Sequence, residues 1–167
     1  LKFYEDLIDW ARSKELILAS DLAYSDIVFD GYHAPSILQV PGSKQGGAIE
    51  FHTLSKSYNM AGWRIGFAAG NKEILASLAK TKSYIDFGIF RPVQWAAIKA
   101  LTGSQEYVKK NVEIYRKRRE LFVDGLNAIS WRVPKPKATF YVWAKIPVQY
   151  NTLTALEFTT RMVRETG

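Results

Sequence analysis

The chain has 167 residues and a formal net charge of +7, and with 47% hydrophobic and 14% aromatic residues it can bury one sizeable core. It has no cysteine, and its two histidines, His33 and His52, have no second ligand at metal-binding spacing, so we expect neither disulfides nor thiolate chemistry nor a metal site. No apolar run is long enough to cross a membrane and no signal peptide opens the chain, so we expect a cytoplasmic protein without membrane contact.

The first part of the chain alternates helical and extended patterns. Residues 3–12 carry their apolar side chains on one helical face, and "ELILAS" (15–20) predicts a buried strand directly after that helix. Two further strands are predicted over 48–53 ("AIEFHT") and 64–69 ("RIGFAA"), preceded by a loop rich in Pro, Gly and Ser over 35–47. A helix that leads into a strand in this way is typical of α/β proteins.

The rest of the chain is predominantly helical in pattern. We predict a helix that Asn71 caps and that runs to about 82, further helices over 92–101, 104–128 and 152–165, and one strand over 139–146. The basic run "RKRR" (116–119) falls within the longest helix, whose apolar residues recur at helical spacing. These charges are therefore predicted to form the solvated face of an amphipathic helix, and we expect no nucleic-acid partner.

Both the ends and the composition of the chain suggest how it is organised. It begins with Leu1 rather than Met, and Gly167 stands at a helix C-cap with no strand after it, which predicts part of a longer protein. After Ser130 the composition shifts toward Pro, Lys and aromatic residues. We therefore expect a large-domain portion over 1–103, a connecting helix over 104–130 and part of a small domain over 131–167.

Polar side chains follow two predicted strands at the point where each strand ends. Asp21 and Tyr24 follow the first strand, and Thr53, Ser55 and Lys56 close the second. In open α/β sheets, ligands bind beyond the carboxyl ends of the strands. If the two strands are parallel neighbours, these groups converge at one edge of the sheet, with an arginine at the start of the next strand.

This set of groups matches the functional groups of pyridoxal phosphate (PLP). A lysine amine forms a Schiff base with an aldehyde, and a carboxylate keeps a pyridine nitrogen protonated so that the ring accepts electrons. A phenol suits a ring oxygen. Hydroxyls and the guanidinium of Arg64 suit a phosphate monoester.

The stretches "DLAYSDIVFDG" and "TLSKSYNMAGWRIGF" resemble the PLP-dependent aminotransferases of fold type I, classes I and II, whose lysine follows a hydroxyl residue and precedes an arginine by eight positions. The resemblance covers essentially the whole chain and looks closest to alanine (glutamate–pyruvate) and LL-diaminopimelate aminotransferases. It implies an α/β fold: part of a large domain with a mainly parallel sheet and flanking helices, followed by the start of an α+β small domain.

The resemblance also implies a role for each candidate residue. Lys56 would form the Schiff base with PLP, and Asp21 would pair with the pyridine nitrogen. The remaining contacts would come from Tyr24 to the ring hydroxyl oxygen and from Thr53, Ser55 and Arg64 to the phosphate. The family's phosphate loop, ring-stacking aromatic and substrate-carboxylate arginine would fall outside this chain.

The same resemblance implies a transaminase of amino-acid biosynthesis that acts on an amino acid and a 2-oxo acid. It also implies a homodimer, whose partner subunit the loop over 83–91 can reach. Two alternatives stay open, a PLP-dependent lyase or synthase on the same fold and a non-enzymatic regulator with an aminotransferase-like domain. A Ser55–Lys56 hydrolase dyad is disfavoured because adjacent side chains on an extended segment point apart.

Overall fold

Five helices and a three-stranded sheet form along residues 1–167, all of which the computed structural model describes. In chain order they are α1 (Lys2–Ser13), β1 (Leu18–Asp21), β2 (Ala48–Thr53), β3 (Gly66–Gly70), α2 (Lys72–Asp86), α3 (Arg91–Thr102), α4 (Glu106–Ala128) and α5 (Ala155–Thr166). Short 3-10 turns lie at Ile37–Gln39, Ala61–Trp63 and Val148–Tyr150. The α/β class predicted from the sequence is confirmed. No helix has both the length and the apolar character needed to cross a membrane.

The sheet has the order β1-β2-β3 and is mixed. β1 and β2 are parallel, with Asp21 opposite Phe51, and β3 runs antiparallel to β2, with Gly66 opposite Thr53. Gly66 allows the close approach of β3, because a Cβ there would lie 2.4 Å from the carbonyl oxygen of His52. The carboxyl ends of β1 and β2 and the start of β3 therefore meet at one edge.

Two of the helices, α2 and α5, have an N-terminus that is capped by a side chain. Asn71, the predicted N-cap of α2, accepts hydrogen bonds from the backbone N–H groups of Glu73 and Ile74, both at 3.0 Å. Thr154 and Glu157 form a reciprocal capping box at the start of α5. Each cap satisfies backbone donors that the helix itself leaves unpaired.

The buried apolar residues form two small clusters. Ile8, Ile37, Val40 and Ala48 pack α1 and the first 3-10 turn against β2. The second cluster consists of Leu54, Met60, Ile65 and Ala97, and its members Leu54 and Met60 flank the turn that carries Lys56. Burial of these side chains holds the backbone on both sides of the lysine in one position.

The prediction of a strand over 139–146 is wrong. The only strand-like pairing there is an isolated antiparallel bridge between Ala138 and Val28, and Thr139 then adopts a left-handed backbone with φ of 66°. A left-handed residue turns the chain away from extended geometry, so no ladder continues past it.

The predicted buried character of the first strand is also wrong. Along β1, Leu18 and Ser20 are half-buried while Ala19 and Asp21 are exposed. β1 lies at an edge of the sheet and pairs with β2 alone. An edge strand with one covered face shows this alternation, whereas a strand covered on both faces does not.

The prediction that the basic run of α4 is wholly solvated is wrong at Arg119. Its side chain is only 4% exposed and donates to a carboxylate oxygen of Asp30 at 2.8 Å and to the carbonyl of Pro136 at 2.9 Å. Its guanidinium also lies 4.5 Å from the centre of the Phe29 ring. Helical periodicity cannot identify such a partner, because Asp30 is distant in the sequence.

Candidate active site

Lys56 lies in the turn after β2, and that turn is attached to two other parts of the chain. The buried Ser57 hydroxyl donates to a carboxylate oxygen of Asp26 at 2.8 Å, which connects the turn to the segment after β1. The side-chain amide of Asn111 in α4 donates to the Ser57 carbonyl at 3.3 Å. Together with the second buried cluster, these bonds position the backbone that carries the lysine.

Two aromatic rings lie near the Lys56 amine. Its Nζ lies 5.8 Å from the centre of the Tyr24 ring and 5.6 Å from that of Phe140. The Tyr24 ring meets Phe140 edge-to-face at 5.1 Å and Tyr141 edge-to-face at 5.6 Å. An ammonium in this setting is attracted by the ring faces. The structure thus brings the predicted lysine and phenol together.

The Tyr24 hydroxyl donates to the hydroxyl of Tyr141 at 3.2 Å. This hydrogen bond, together with burial and the negative charges nearby, raises the pKa of Tyr24 to about 12. Tyr24 therefore stays a neutral phenol, able to donate its proton in a hydrogen bond, throughout the physiological pH range.

Thr53 and Ser55 lie side by side where β2 ends. The Thr53 hydroxyl donates to the Ser55 hydroxyl at 2.9 Å and accepts from the Ser55 backbone N–H at 3.1 Å. The segment is a turn rather than the extended backbone expected for residues 55 and 56. The Ser55 hydroxyl is bonded to Thr53, and no hydrogen bond joins it to the Lys56 amine, so the geometry of a Ser–Lys dyad is not formed.

Asp21 is brought to the same edge by the strand pairing. It is the last residue of β1, and the next residue, Leu22, donates its N–H to the Phe51 carbonyl of β2 at 2.9 Å. One carboxylate oxygen of Asp21 accepts from the Ala23 N–H at 3.3 Å. The parallel pairing on which the predicted convergence of Asp21 with Thr53 depends is therefore present.

Arg64 is not at the start of β3, as its position in "RIGFAA" suggested, but in the turn before it, with φ of 51°. Its exposed guanidinium donates to the Ala61 carbonyl at 2.9 Å and makes no hydrogen bond to Thr53 or Ser55. Its neighbour Ile65 accepts from the Leu54 N–H at 3.2 Å, which keeps the turn beside the end of β2. The structure places Arg64 near the edge without joining its side chain to the two hydroxyls.

Phe140 and Tyr141 are site residues that the sequence analysis missed. The expected strand would have sent neighbouring side chains to opposite faces. Instead, the left-handed Thr139 ends the pairing with the segment after Tyr24, and both rings reach that tyrosine. The signal available in the sequence was the aromatic run "TFYVW" (139–143), which does not by itself distinguish a strand from a site segment.

The donor set at this edge fits PLP. It offers an amine for an aldehyde, a carboxylate for a pyridine nitrogen, a neutral phenol for a ring oxygen and two adjacent hydroxyls for a phosphate. A basic side chain, Arg64, stands one turn away.

Comparison with known proteins decides the family. The family described as "Aminotransferase class I and II" matches residues 1–167, the whole chain. The chain belongs to the class I and II aminotransferases. The resemblance stated from "DLAYSDIVFDG" and "TLSKSYNMAGWRIGF" is thereby confirmed.

Individual aminotransferases are similar over nearly the full chain. The glutamate-pyruvate aminotransferase AlaC of Escherichia coli is 51% identical over 165 residues, which are 99% of this chain and 40% of that protein. The LL-diaminopimelate aminotransferase of Halothermothrix orenii is 49% identical over 166 residues, 99% of this chain and 42% of that protein. This chain thus spans about two fifths of the length of the curated aminotransferases it matches.

A solved aminotransferase has the same backbone arrangement. The structure of a probable N-succinyldiaminopimelate aminotransferase from Thermus thermophilus superposes with a TM-score of 0.88 at 36% identity. The superposition covers 98% of this chain and 43% of that one. The aminotransferase fold is therefore supported by structure as well as by sequence.

Proposed function

We propose that the protein containing this chain is a PLP-dependent aminotransferase that moves an amino group between an amino acid and a 2-oxo acid. The observation that carries the proposal is the Lys56 amine, held 5.8 Å from the Tyr24 ring at the edge where β1 and β2 end. The names of the similar aminotransferases support the same reaction. When bound, PLP supplies an aldehyde that condenses with amines and a ring that accepts electrons.

Lys56 has two roles in this proposal. Its amine bonds the cofactor aldehyde, a use that the deprotonatable lysine allows and arginine does not. Once displaced by the substrate amine, Nζ would act as the general base that takes the proton from the substrate Cα and as the general acid that delivers it to the former aldehyde carbon of the cofactor. The fixed turn around Ser57 supports this role, because proton transfer requires the amine at a constant distance from the reacting carbon.

Asp21 and Tyr24 are proposed to hold the ring of the cofactor. The Asp21 carboxylate keeps the pyridine nitrogen protonated, and the neutral Tyr24 phenol donates to the ring oxygen. The pKa of about 12 for Tyr24 supports the second role, since only the protonated phenol donates.

Thr53, Ser55 and Arg64 are proposed to hold the phosphate. The two hydroxyls already lie next to each other. The Arg64 guanidinium would exchange its bond to the Ala61 carbonyl for a charge-assisted bond to phosphate, which is the stronger interaction. Because this side chain is exposed, the exchange requires no change in the packed residues.

The finer properties of the whole protein are also proposals. We expect an alanine or LL-diaminopimelate type of aminotransferase in amino-acid biosynthesis, a cytoplasmic location and a homodimer. Phe87, 94% exposed in the connection between α2 and α3, supports a partner at the loop over 83–91. Residues 1–103, 104–130 and 131–167 are proposed as large-domain, connecting-helix and small-domain portions.

The test uses the full-length protein incubated with PLP. Borohydride reduction makes the cofactor–lysine bond permanent, and peptide mapping then identifies the modified lysine. We expect the modification at Lys56, loss of transamination in Lys56→Ala and normal turnover in Lys80→Ala, which changes an exposed lysine of α2. Modification of another lysine, or full turnover by Lys56→Ala, would refute the proposal.

A second measurement separates transamination from the lyase and regulator alternatives. The protein is loaded with pyridoxamine phosphate and given a 2-oxo acid. An aminotransferase converts the 2-oxo acid to its amino acid, whereas a lyase, a synthase or a regulator leaves it unchanged. A panel of 2-oxo acids then identifies the substrate class.

A further inference from the structure

Two tyrosine hydroxyls meet beside Lys56. Tyr24 and Tyr141 are 117 residues apart in the sequence, and their hydroxyl oxygens lie 3.2 Å apart. We propose that Tyr141 is a positioning residue for Tyr24: its hydroxyl orients and strengthens the hydrogen bond that Tyr24 donates to the cofactor ring oxygen. This inference rests on the proposed function and assigns a role to a residue that the motif does not contain.

The backbone brings Tyr141 to this position by a defined route. The N–H of Phe29 donates to the Lys137 carbonyl at 2.9 Å, and the N–H of Thr139 donates to the Ile27 carbonyl at 2.8 Å. The Thr139 hydroxyl then accepts from the Tyr141 N–H at 3.1 Å. The contact between the two tyrosines is therefore built on backbone pairing that starts three residues after Tyr24.

Ring packing limits how Tyr24 can move. Phe140 and Tyr141 each meet its ring edge-to-face, with interplanar angles of 88° and 81°. These contacts hold the plane of the ring, but they do not decide where the hydroxyl proton points. A hydroxyl rotates to suit its partners, so the hydrogen bond to Tyr141 supplies the remaining constraint.

The chemistry of a hydroxyl pair gives Tyr141 its role. Tyr24 has one proton to donate, which in this structure goes to Tyr141. With PLP bound, the Tyr24 hydroxyl would donate its hydrogen bond to the ring oxygen, and the Tyr141 hydroxyl would then donate a hydrogen bond to the Tyr24 oxygen. Hydrogen bonds in such a chain polarise and strengthen one another. Phenylalanine at position 141 would keep the ring contacts and lose the second donor.

The shifted pKa of Tyr24 agrees with this geometry. The hydrogen bond with Tyr141 is the largest cause of the increase to about 12, ahead of burial and of the charge of Asp21. Without the Tyr141 hydroxyl, the Tyr24 phenol would ionise at lower pH.

Removal of the Tyr141 hydroxyl should not unfold the protein. The side chain is 61% exposed, and Tyr141→Phe deletes one oxygen without opening a buried cavity. Tyr150→Phe is a matched control from the same part of the chain, because its ring also packs against an aromatic neighbour and its hydroxyl makes no hydrogen bond in the structure.

The experiment measures the pH midpoint of the visible absorption of PLP bound to the full-length protein. Tyr24→Phe gives the reference shift, and Tyr141→Phe should shift the midpoint in the same direction by a smaller amount, about half a pH unit. In the Tyr24→Phe background, Tyr141→Phe should add nothing, because its effect passes through the Tyr24 hydroxyl. Tyr150→Phe should leave the midpoint unchanged.

The inference is overturned if Tyr141→Phe leaves the midpoint unchanged, or if it shifts the midpoint equally with and without the Tyr24 hydroxyl. It is also overturned if Tyr24→Phe itself has no effect. Failure of the proposed function is recognised separately, by the absence of cofactor bound to Lys56.

The hydrogen bond between Tyr24 and Tyr141 can also be tested in the protein without PLP. Fluorotyrosine placed at position 24 is titrated by fluorine NMR in the full-length protein before PLP is added. Tyr141→Phe should lower the pH at which residue 24 ionises, and an unchanged midpoint would contradict the hydrogen bond itself.

Discussion

Arg119 of α4 donates to Asp30 at 2.8 Å, although only one member of this ion pair is buried: the arginine side chain is 4% exposed and the aspartate 59%. The Nε and Nη2 atoms of Arg119 have no hydrogen-bond partner, although Nη2 lies 3.5 Å from a carboxylate oxygen of Glu120, so both hydrogen bonds of the guanidinium go to Asp30 and the Pro136 carbonyl. The pair joins the long helix to the segment after β1.

Stability should depend on the ionisation of Asp30. The hydrogen bond from Arg119 lowers the pKa of Asp30 below its ordinary value. The pair therefore contributes fully above about pH 4, the ordinary range of an aspartate, and the contribution is lost as the pH falls below that toward the lowered pKa. Thermal unfolding of Asp30→Asn should show a weaker decline of Tm between neutral and acid pH than the parent protein.

Asp9→Asn serves as the control for that measurement. Asp9 is exposed and pairs only loosely with Arg12, at 3.7 Å. Its substitution should leave the acid dependence of Tm unchanged. An equal decline of Tm in the parent protein and in Asp30→Asn would contradict the prediction.

Gly66 and Gly62 should respond differently to alanine. A Cβ at Gly66 would meet the His52 carbonyl oxygen at 2.4 Å, whereas a Cβ at Gly62 would meet nothing within 4 Å. Gly66→Ala must push β3 away from β2 and should cost about 2 kcal/mol or more of unfolding free energy, while Gly62→Ala should be nearly neutral. Denaturant unfolding of the two variants is the measurement, and equal stabilities would show that β3 does not approach β2 so closely.

Glu50 connects β2 to the first 3-10 turn from a buried position. Its carboxylate accepts from the Ser36 hydroxyl at 2.9 Å, the Ile37 N–H at 3.1 Å and the His52 Nε2 at 2.8 Å. Glu50→Ala leaves the buried Ile37 N–H and the half-buried Ser36 and His52 donors without this partner and should cost about 2–3 kcal/mol of unfolding free energy. Glu106 is exposed, and Glu106→Ala loses only the ion pair with Lys109. This substitution should therefore lower the unfolding free energy much less than Glu50→Ala does. Similar losses in the two variants would argue against the buried network.

Arg64 should affect cofactor affinity more than catalysis. If its guanidinium binds the phosphate, Arg64→Ala should raise the Kd for PLP about tenfold, the equivalent of one charge-assisted hydrogen bond. Turnover at saturating PLP should change less. Fluorescence titration with PLP measures the affinity, and Arg132→Ala, which removes another exposed arginine, should leave it unchanged. An unaltered Kd in Arg64→Ala would remove this residue from the phosphate site.

Much of the fold could be predicted from the sequence because local signals coincide there. Helix α2 begins at Lys72, directly after its predicted N-cap Asn71, whose side chain accepts from backbone donors two and three positions on. It ends at Asp86 rather than near residue 82, because no helix-breaking residue occurs before the left-handed Phe87. The strand over 48–53 was predicted at its observed limits, as its apolar residues are bounded by polar turns.

The wrong predictions concern residues at which a contact with a distant part of the chain overrides the local sequence pattern. The run over 139–146 has strand-like residues, but its backbone pairs only at Ala138 and turns at Thr139. Arg119 follows the periodicity of a solvated helix face, yet Asp30 and Phe29 cover it. No window of neighbouring residues contains those partners.

The sequence by itself determined the family, because its motifs match that family along the whole chain. It also determined the chemical types at the candidate site, because the lysine, the carboxylate and the hydroxyls directly follow predicted strands. Only the tertiary structure decided what surrounds them. The aromatic neighbours of Lys56 and the hydroxyl bonded to Tyr24 depend on segments up to 117 residues apart. The spacing of residues along the sequence is a local property, whereas packing and hydrogen bonding between distant segments exist only once the chain has folded.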